Sequence, residues 1–127
     1  MPGLIRAAVV GGRRGGSYGR AFDALSDQIL VSAICDVDPA VLDSWSKARP
    51  DVRTFSRYED LLGADACDAV FLATPMGLHA GQAIQALQAG KHVLSEVIAA
   101  TTIEDCWALV EAAESSDRTY MLAENYC

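Results

Sequence analysis

Apolar and polar positions along the chain fall into two alternating patterns. Short, nearly continuous apolar runs rich in β-branched residues recur at Leu4 to Val10, Leu30 to Cys35, Val52 to Phe55, Ala69 to Thr74, His92 to Ser95 and Thr119 to Ala123. Such runs are expected of strands buried on both faces of a parallel sheet. Between them lie longer stretches in which apolar residues return every three or four positions, the period of an α-helix.

The helix ends carry their own signals. Asp38 followed by Pro39 predicts an N-cap and a first turn, because Asp accepts a free backbone N–H and Pro has none to leave unpaired, and the helix should run to about Ala48. From His79 to Ala89 the residues Ala80, Ala83, Ile84 and Leu87 form one stripe, and Gly90 supplies a left-handed stop. Thr101 with Glu104 reads as a capping box, opening a helix that carries Trp107, Val110 and Glu114 and ends near Ser116. Strand and helix in alternation predict an α/β fold: a doubly wound parallel sheet in three αβα layers with right-handed crossovers. Ligands of such sheets bind beyond the carboxyl ends of the strands.

Composition narrows the picture. The 127 residues suit one domain over 1–127, with no repeat, low-complexity tract or linker to divide it. A net charge of −7 would repel nucleic acid. Arg6, Arg13, Arg14 and Arg20 all precede the first acidic residue, Asp23, so a local positive region that could receive a small anion is expected near the amino terminus. Cys35, Cys67, Cys106 and Cys127 are widely spaced with no C-x-x-C pair, which predicts buried, reduced thiols of a cytoplasmic protein and no metal site. No run approaches a membrane span, and Ala7 to Val10 is too short for a signal-peptide core.

The candidate chemistry begins where the first strand runs into Gly11-Gly12-Arg13-Arg14-Gly15-Gly16. Glycines let backbone turn tightly against a pyrophosphate, and the helix that follows offers free N–H groups. Gly11 and Gly16 match the outer glycines of G-x-G-x-x-G with Arg13 in the middle place, whereas Gly12 and Gly15 fit a tighter turn, and a plain connecting loop could hold the same residues. Asp36 ends the second strand about 25 residues later, where a carboxylate can take adenosine ribose hydroxyls and repel a 2′-phosphate. Alternatively it serves only the turn into Asp38. No arginine follows it, which favours NAD over NADP.

Two further strand ends, Thr74-Pro75-Met76-Gly77-Leu78-His79 and Gly90-Lys91-His92-Val93-Leu94-Ser95-Glu96, resemble those of the GFO/IDH/MocA oxidoreductases, and Cys35-Asp36-Val37-Asp38-Pro39 is similar to that family's second strand end. The likeness spans essentially the whole chain and implies a Rossmann domain. It implies Gly11, Gly12, Arg13, Arg14, Gly15 and Gly16 around the pyrophosphate and Asp36 at the adenosine ribose. It places Thr74, Pro75 and His79 on the nicotinamide side, with Glu96 near the nicotinamide ribose. Read on their own, His79 could be a solvent-facing residue of a first helical turn and Glu96 a surface carboxylate.

Two departures stand out. Where the family has Glu-Lys-Pro, this chain has Glu96-Val97-Ile98, so a cation is missing, and with the proline goes the reason for a fixed, often cis, turn. The family also continues into a C-terminal substrate domain, here expected to be absent, with 127 residues forming a truncated single domain. The reading is the dinucleotide-binding half of an NAD-dependent dehydrogenase acting on a sugar, polyol or related molecule. Its catalytic residues are not identifiable, its small-molecule substrate would be held only with a second domain, and Val97, Ile98, Ala99, Tyr126 and Cys127 favour a homo-oligomer. The alternative is a non-catalytic nucleotide- or partner-binding module.

Overall fold

The computed structural model describes residues 3–124. Six strands, β1 (Ile5–Val10), β2 (Ile29–Cys35), β3 (Arg53–Phe55), β4 (Ala69–Leu72), β5 (His92–Glu96) and β6 (Tyr120–Ala123), lie in one sheet of order β3-β2-β1-β4-β5-β6. Every pairing is parallel. The order reverses between β1 and β4, so the two halves of the sheet wind outward from that seam and their connections part there.

Helices cover both faces. α3 (Pro39–Ala48), with Tyr18 and with Phe22 of α2 (Gly19–Ala24), closes a core of Val9, Val31, Ile34, Val41, Trp45, Val52 and Phe71. On the other face α4 (Tyr58–Gly63), α5 (His79–Gln88) and α6 (Ile103–Ser115) bury Leu61, Leu72, Ala83, Leu87, Val93 and Leu109. This is the expected three-layer Rossmann arrangement, with α1 (Gly12–Gly15) a single turn on the glycine segment.

Local chemistry explains most boundaries. The Asp38 carboxylate accepts the Ala40 N–H at 2.9 Å and Pro39 occupies the first turn of α3. Gly90 follows α5 at φ +76. The cap of α6 lies one residue later than expected: Thr102, not Thr101, accepts from Asp105 N–H at 3.1 Å. The β1–β2 register slips between Ala7 and Ala8, and the skipped Ser32 turns its hydroxyl to the Ala66 carbonyl at 2.7 Å.

Of the arginines expected to form a positive region near the amino terminus, Arg13 and Arg14 stay together on the glycine segment and Arg6 does not. Arg6, at the far end of β1, is bound by Asp65 at 2.8 Å and by Asp68 at 2.7 Å, so it lies away from the glycine segment. Cys35 and Cys67 are buried and unpaired as expected, but Cys106 is exposed on α6 because that helix rests on the sheet mainly through Leu109. Among the described residues no helix is long and apolar enough to cross a membrane, and no group of three His, Cys, Asp or Glu could hold a metal ion.

Candidate functional site

A crevice of about 550 Å³ opens at the reversal between β1 and β4, over the carboxyl ends of the strands. Gly11, Arg13, Arg14, Asp36, Thr74 and Pro75 line it, joined by Cys35, Val37 and Leu78 of the same motifs and by Tyr58 and Gln82, which sequence patterns did not point to. A hollow of about 700 Å³ between α5 and α6 is larger, but no strand end or cation reaches it. The crevice at the reversal has the chemistry.

Its floor is the glycine turn. Gly11 sits at φ +91 and donates its N–H to the Cys35 carbonyl at 2.9 Å, and a Cβ there would lie 2.5 Å from the carbonyl oxygen of Ala73. A side chain on Gly12 would strike Val41 and Trp45, and one on Gly15 would strike Val9. Gly16 has nothing within 4 Å of such an atom. The close approaches are therefore made at Gly11, Gly12 and Gly15, and the wider match ending on Gly16 has no steric basis.

Asp36 stands at the rim. Its carboxylate accepts the Gly12 N–H at 2.7 Å and the Asp38 N–H at 2.9 Å, so the turn-forming role left open in the sequence is real. Two carboxylate oxygens have about four lone-pair directions, which leaves capacity for hydroxyl groups as well. Arg13 reaches over the rim to Asp38 at 2.7 Å, and that guanidinium holds the Asp38 carboxyl below its usual value.

Glu96 is only 6% exposed, not a surface carboxylate. It accepts Arg14 Nε at 2.5 Å and the Tyr18 hydroxyl at 3.0 Å, while Tyr18 packs edge-on against Phe71. The end of β5 is thereby fastened to the glycine segment, through a tyrosine that no motif singled out. The Arg14 hydrogen bond, opposed by burial and helped by Tyr18, holds Glu96 below its usual 4.5. A carboxylate depressed on folding adds stability above its unfolded value and loses it as pH falls through the folded one. Asp38, Asp65 and Asp68, depressed by Arg13 and Arg6, act with the same sign. Stability is therefore expected to fall progressively below a pH of 4.5, and Glu96→Gln should make that acid limb shallower. Urea midpoints measured from neutrality downward check this; an acid limb of unchanged slope in the variant would count against the Arg14–Glu96 link.

Thr74 turns its hydroxyl to Gln82 at 2.6 Å, and Pro75 is exposed at the crevice edge. His79 is neither solvent-facing nor part of the crevice lining. It is 1% exposed, with Nε2 at 2.7 Å from the Thr74 carbonyl and Nδ1 at 2.9 Å from the Ile98 carbonyl. The Val97–Ile98 peptide is cis without a proline, contrary to the expectation drawn from the missing Pro. Ile98 is exposed, Val97 and Ala99 are half-buried, and Tyr126 and Cys127 lie outside the described residues.

The crevice brings together the first turn of α1, two guanidinium groups that are paired with Asp38 and Glu96, and a rim carboxylate, groups suited to anion and ribose binding. Its titratable side chains are otherwise occupied. Burial pushes the Cys35 thiol up to about 11, and burial likewise raises Tyr58, whose hydroxyl donates to the Gln82 carbonyl at 2.7 Å.

The sequence profile described as the oxidoreductase family, NAD-binding Rossmann fold (GFO/IDH/MocA), matches residues 5–124. A glycosyl hydrolase family 109 protein of Shewanella pealeana is 37% identical over 131 residues, a match covering 95% of this chain and 28% of that protein. The WlbA dehydrogenase of Bordetella pertussis, crystallised in complex with NADH and UDP-GlcNAcA, superposes with a TM-score of 0.89 at 36% identity, covering 95% of this chain and 37% of its own. Scyllo-inositol dehydrogenase of Lactobacillus casei, with bound NAD(H) and scyllo-inositol, gives 0.86 at 30% identity, covering 95% and 36%. The chain thus spans 28% of the length of the curated relative and little more than a third of the two structures.

Proposed function

The chain belongs to the GFO/IDH/MocA oxidoreductase family, and from that premise we propose that it holds NAD in preference to NADP as the cofactor half of a dehydrogenase acting on a sugar, polyol or related small molecule. The observation that carries the reading is the cradle at Gly11, which only a residue without a side chain can form and which brings bare backbone to the mouth of the crevice. The backbone of Gly11, Gly12, Gly15 and Gly16, with Arg13 and Arg14, would hold the pyrophosphate. Asp36 would accept the adenosine ribose hydroxyls, and Thr74 and Pro75 would face the nicotinamide half, backed by Glu96. When bound, NAD supplies hydride acceptance at its nicotinamide ring.

What these residues contribute is binding and orientation. The acid or base that moves the substrate proton, and the walls that enclose the substrate, would come from the part of the longer relatives that this chain does not span. Exposed Ile98 beside half-buried Val97 and Ala99 supports self-association of the cytoplasmic protein.

The experiment is calorimetric titration with NADH and NADPH. NADH should bind more tightly, and Asp36→Asn should weaken NADH by about 1–3 kcal/mol, roughly 5- to 150-fold in Kd, while narrowing the gap to NADPH. Tighter binding of NADPH, or an Asp36→Asn protein indistinguishable from the parent with both cofactors, would refute the assignment.

A further inference from the structure

The chain has two histidines, and their hydrogen bonds are opposite in kind. His92 Nδ1 lies 2.9 Å from the backbone N–H of Thr119 and accepts it, so that nitrogen carries no proton. His79 faces two carbonyl oxygens, of Thr74 at 2.7 Å and of Ile98 at 2.9 Å. A carbonyl oxygen only accepts, so each of these bonds needs a proton on the ring nitrogen, and a neutral imidazole carries one proton, not two. The ring is 1% exposed, and a bare nitrogen would point its lone pair at an oxygen lone pair.

The two carbonyls belong to different strand ends. Thr74 follows β4, and Ile98 follows β5, the neighbouring strand. Both lie on the β4 side of the reversal, across from Asp36, where the second mononucleotide of a dinucleotide rests in a doubly wound sheet. Glu96 fastens the same β5 end to Arg14 from the other direction, and its carboxylate gives the enclosed ring a nearby negative charge.

Resting on the functional reading above, we propose that His79, protonated on both ring nitrogens, is a positioning residue for the nicotinamide half of the dinucleotide, strapping Thr74 to Ile98 without touching the cofactor. The strap fixes the spacing of the two strand ends against which that half lies. The adenosine half rests on β1 and β2, which His79 does not reach.

Two measurements on the full chain test this. In ¹⁵N-histidine spectra at neutral pH, with His92→Gln assigning the signals, both His79 nitrogens should resonate as protonated, whereas Nδ1 of His92 should not. A singly protonated His79 would overturn the two-ended strap, and this readout needs no variant at position 79. In the second, His79→Gln and His79→Ala are titrated with NADH and with ADP-ribose, which lacks nicotinamide. NADH affinity should fall about tenfold and ADP-ribose affinity should stay within about twofold of the parent. An equal fall for both ligands would overturn the positioning role and leave His79 a residue of general stability. If the parent bound neither ligand the functional reading would fail and the positioning role with it, while the spectra would still report the protonation of His79 on its own.

Discussion

Trp45→Ala is expected to destabilise the fold by about 3–5 kcal/mol, the range for removing a large buried aromatic. Trp45 is 9% exposed and packs among Val9, Ile34 and Val41 on the face of the sheet covered by α3. It also does something a purely apolar residue could not, because its indole N–H donates to the Gly12 carbonyl at 3.1 Å. That carbonyl lies at the start of the glycine turn, so α3 sets the height of the turn over β1. Trp45→Phe separates the two contributions: most of the volume stays, the donor goes, and the loss should be about 1–2 kcal/mol. NADH affinity should weaken in the Phe variant although Trp45 does not line the crevice at the reversal. Urea denaturation and calorimetry on both variants check this. A Trp45→Ala protein within 1 kcal/mol of the parent would mean that α3 does not brace the turn as described.

The second large effect is expected at Gly11. Gly11→Ala forces a residue with a Cβ to φ +91, a conformation that costs about 1–2 kcal/mol outside glycine, and places that atom 2.5 Å from a backbone oxygen that cannot swing aside. Overpacking adds about 1–3 kcal/mol, so a total near 2–5 kcal/mol is expected, together with loss of measurable NADH binding. Gly16→Ala is the internal control. Gly16 has right-handed backbone at φ −60 and open space around it, so the change should leave the fold unharmed or stabilise it by about 0.4–1 kcal/mol. Thermal melting of the two proteins side by side tests the pair. Equal damage at both positions would show that the glycines matter for flexibility of the loop as a whole, not for the approach of Gly11 to Ala73.

How much of this was legible in the sequence depends on how local each signal is. The strands announced themselves because β-branched runs buried on both faces tolerate few polar residues, and α3 because Asp38 and Pro39 act on their own backbone neighbours. α4 left no comparable mark: it has six residues, no side-chain cap and only Tyr58 and Leu61 buried. Thr101 and Thr102 are chemically equivalent, so only the path of the backbone decides which of them caps α6. The site divides in the same way. Gly11 and Asp36 could be located because a turn and a strand end are local features. The environments of Glu96 and His79 could not, since Tyr18, Arg14 and Ile98 reach them from elsewhere in the chain. The partners of the arginines were hidden for the same reason. Their closeness in sequence said nothing of Asp65, Asp68, Asp38 and Glu96, which neutralise three of them in three different places.

The seam between β1 and β4 also bears on how the chain acquires its structure. β1 pairs with β2 across the glycine turn and α2, the next elements along the chain, but its other edge must wait for β4, with Ala7 meeting Ala69 and Val10 meeting Leu72. Contacts so distant along a chain are slow to form, because a long loop has to close before any bond rewards it. Each face of the core draws on both halves of the sheet, so the pairing of β1 with β4 completes both cores at once. The crevice lies over that meeting line, so its two sides come together only once β1 and β4 have paired. Acquisition of nucleotide binding would then mark the end of folding, not its beginning, and a ligand present during synthesis could act only by locking a seam that had already closed.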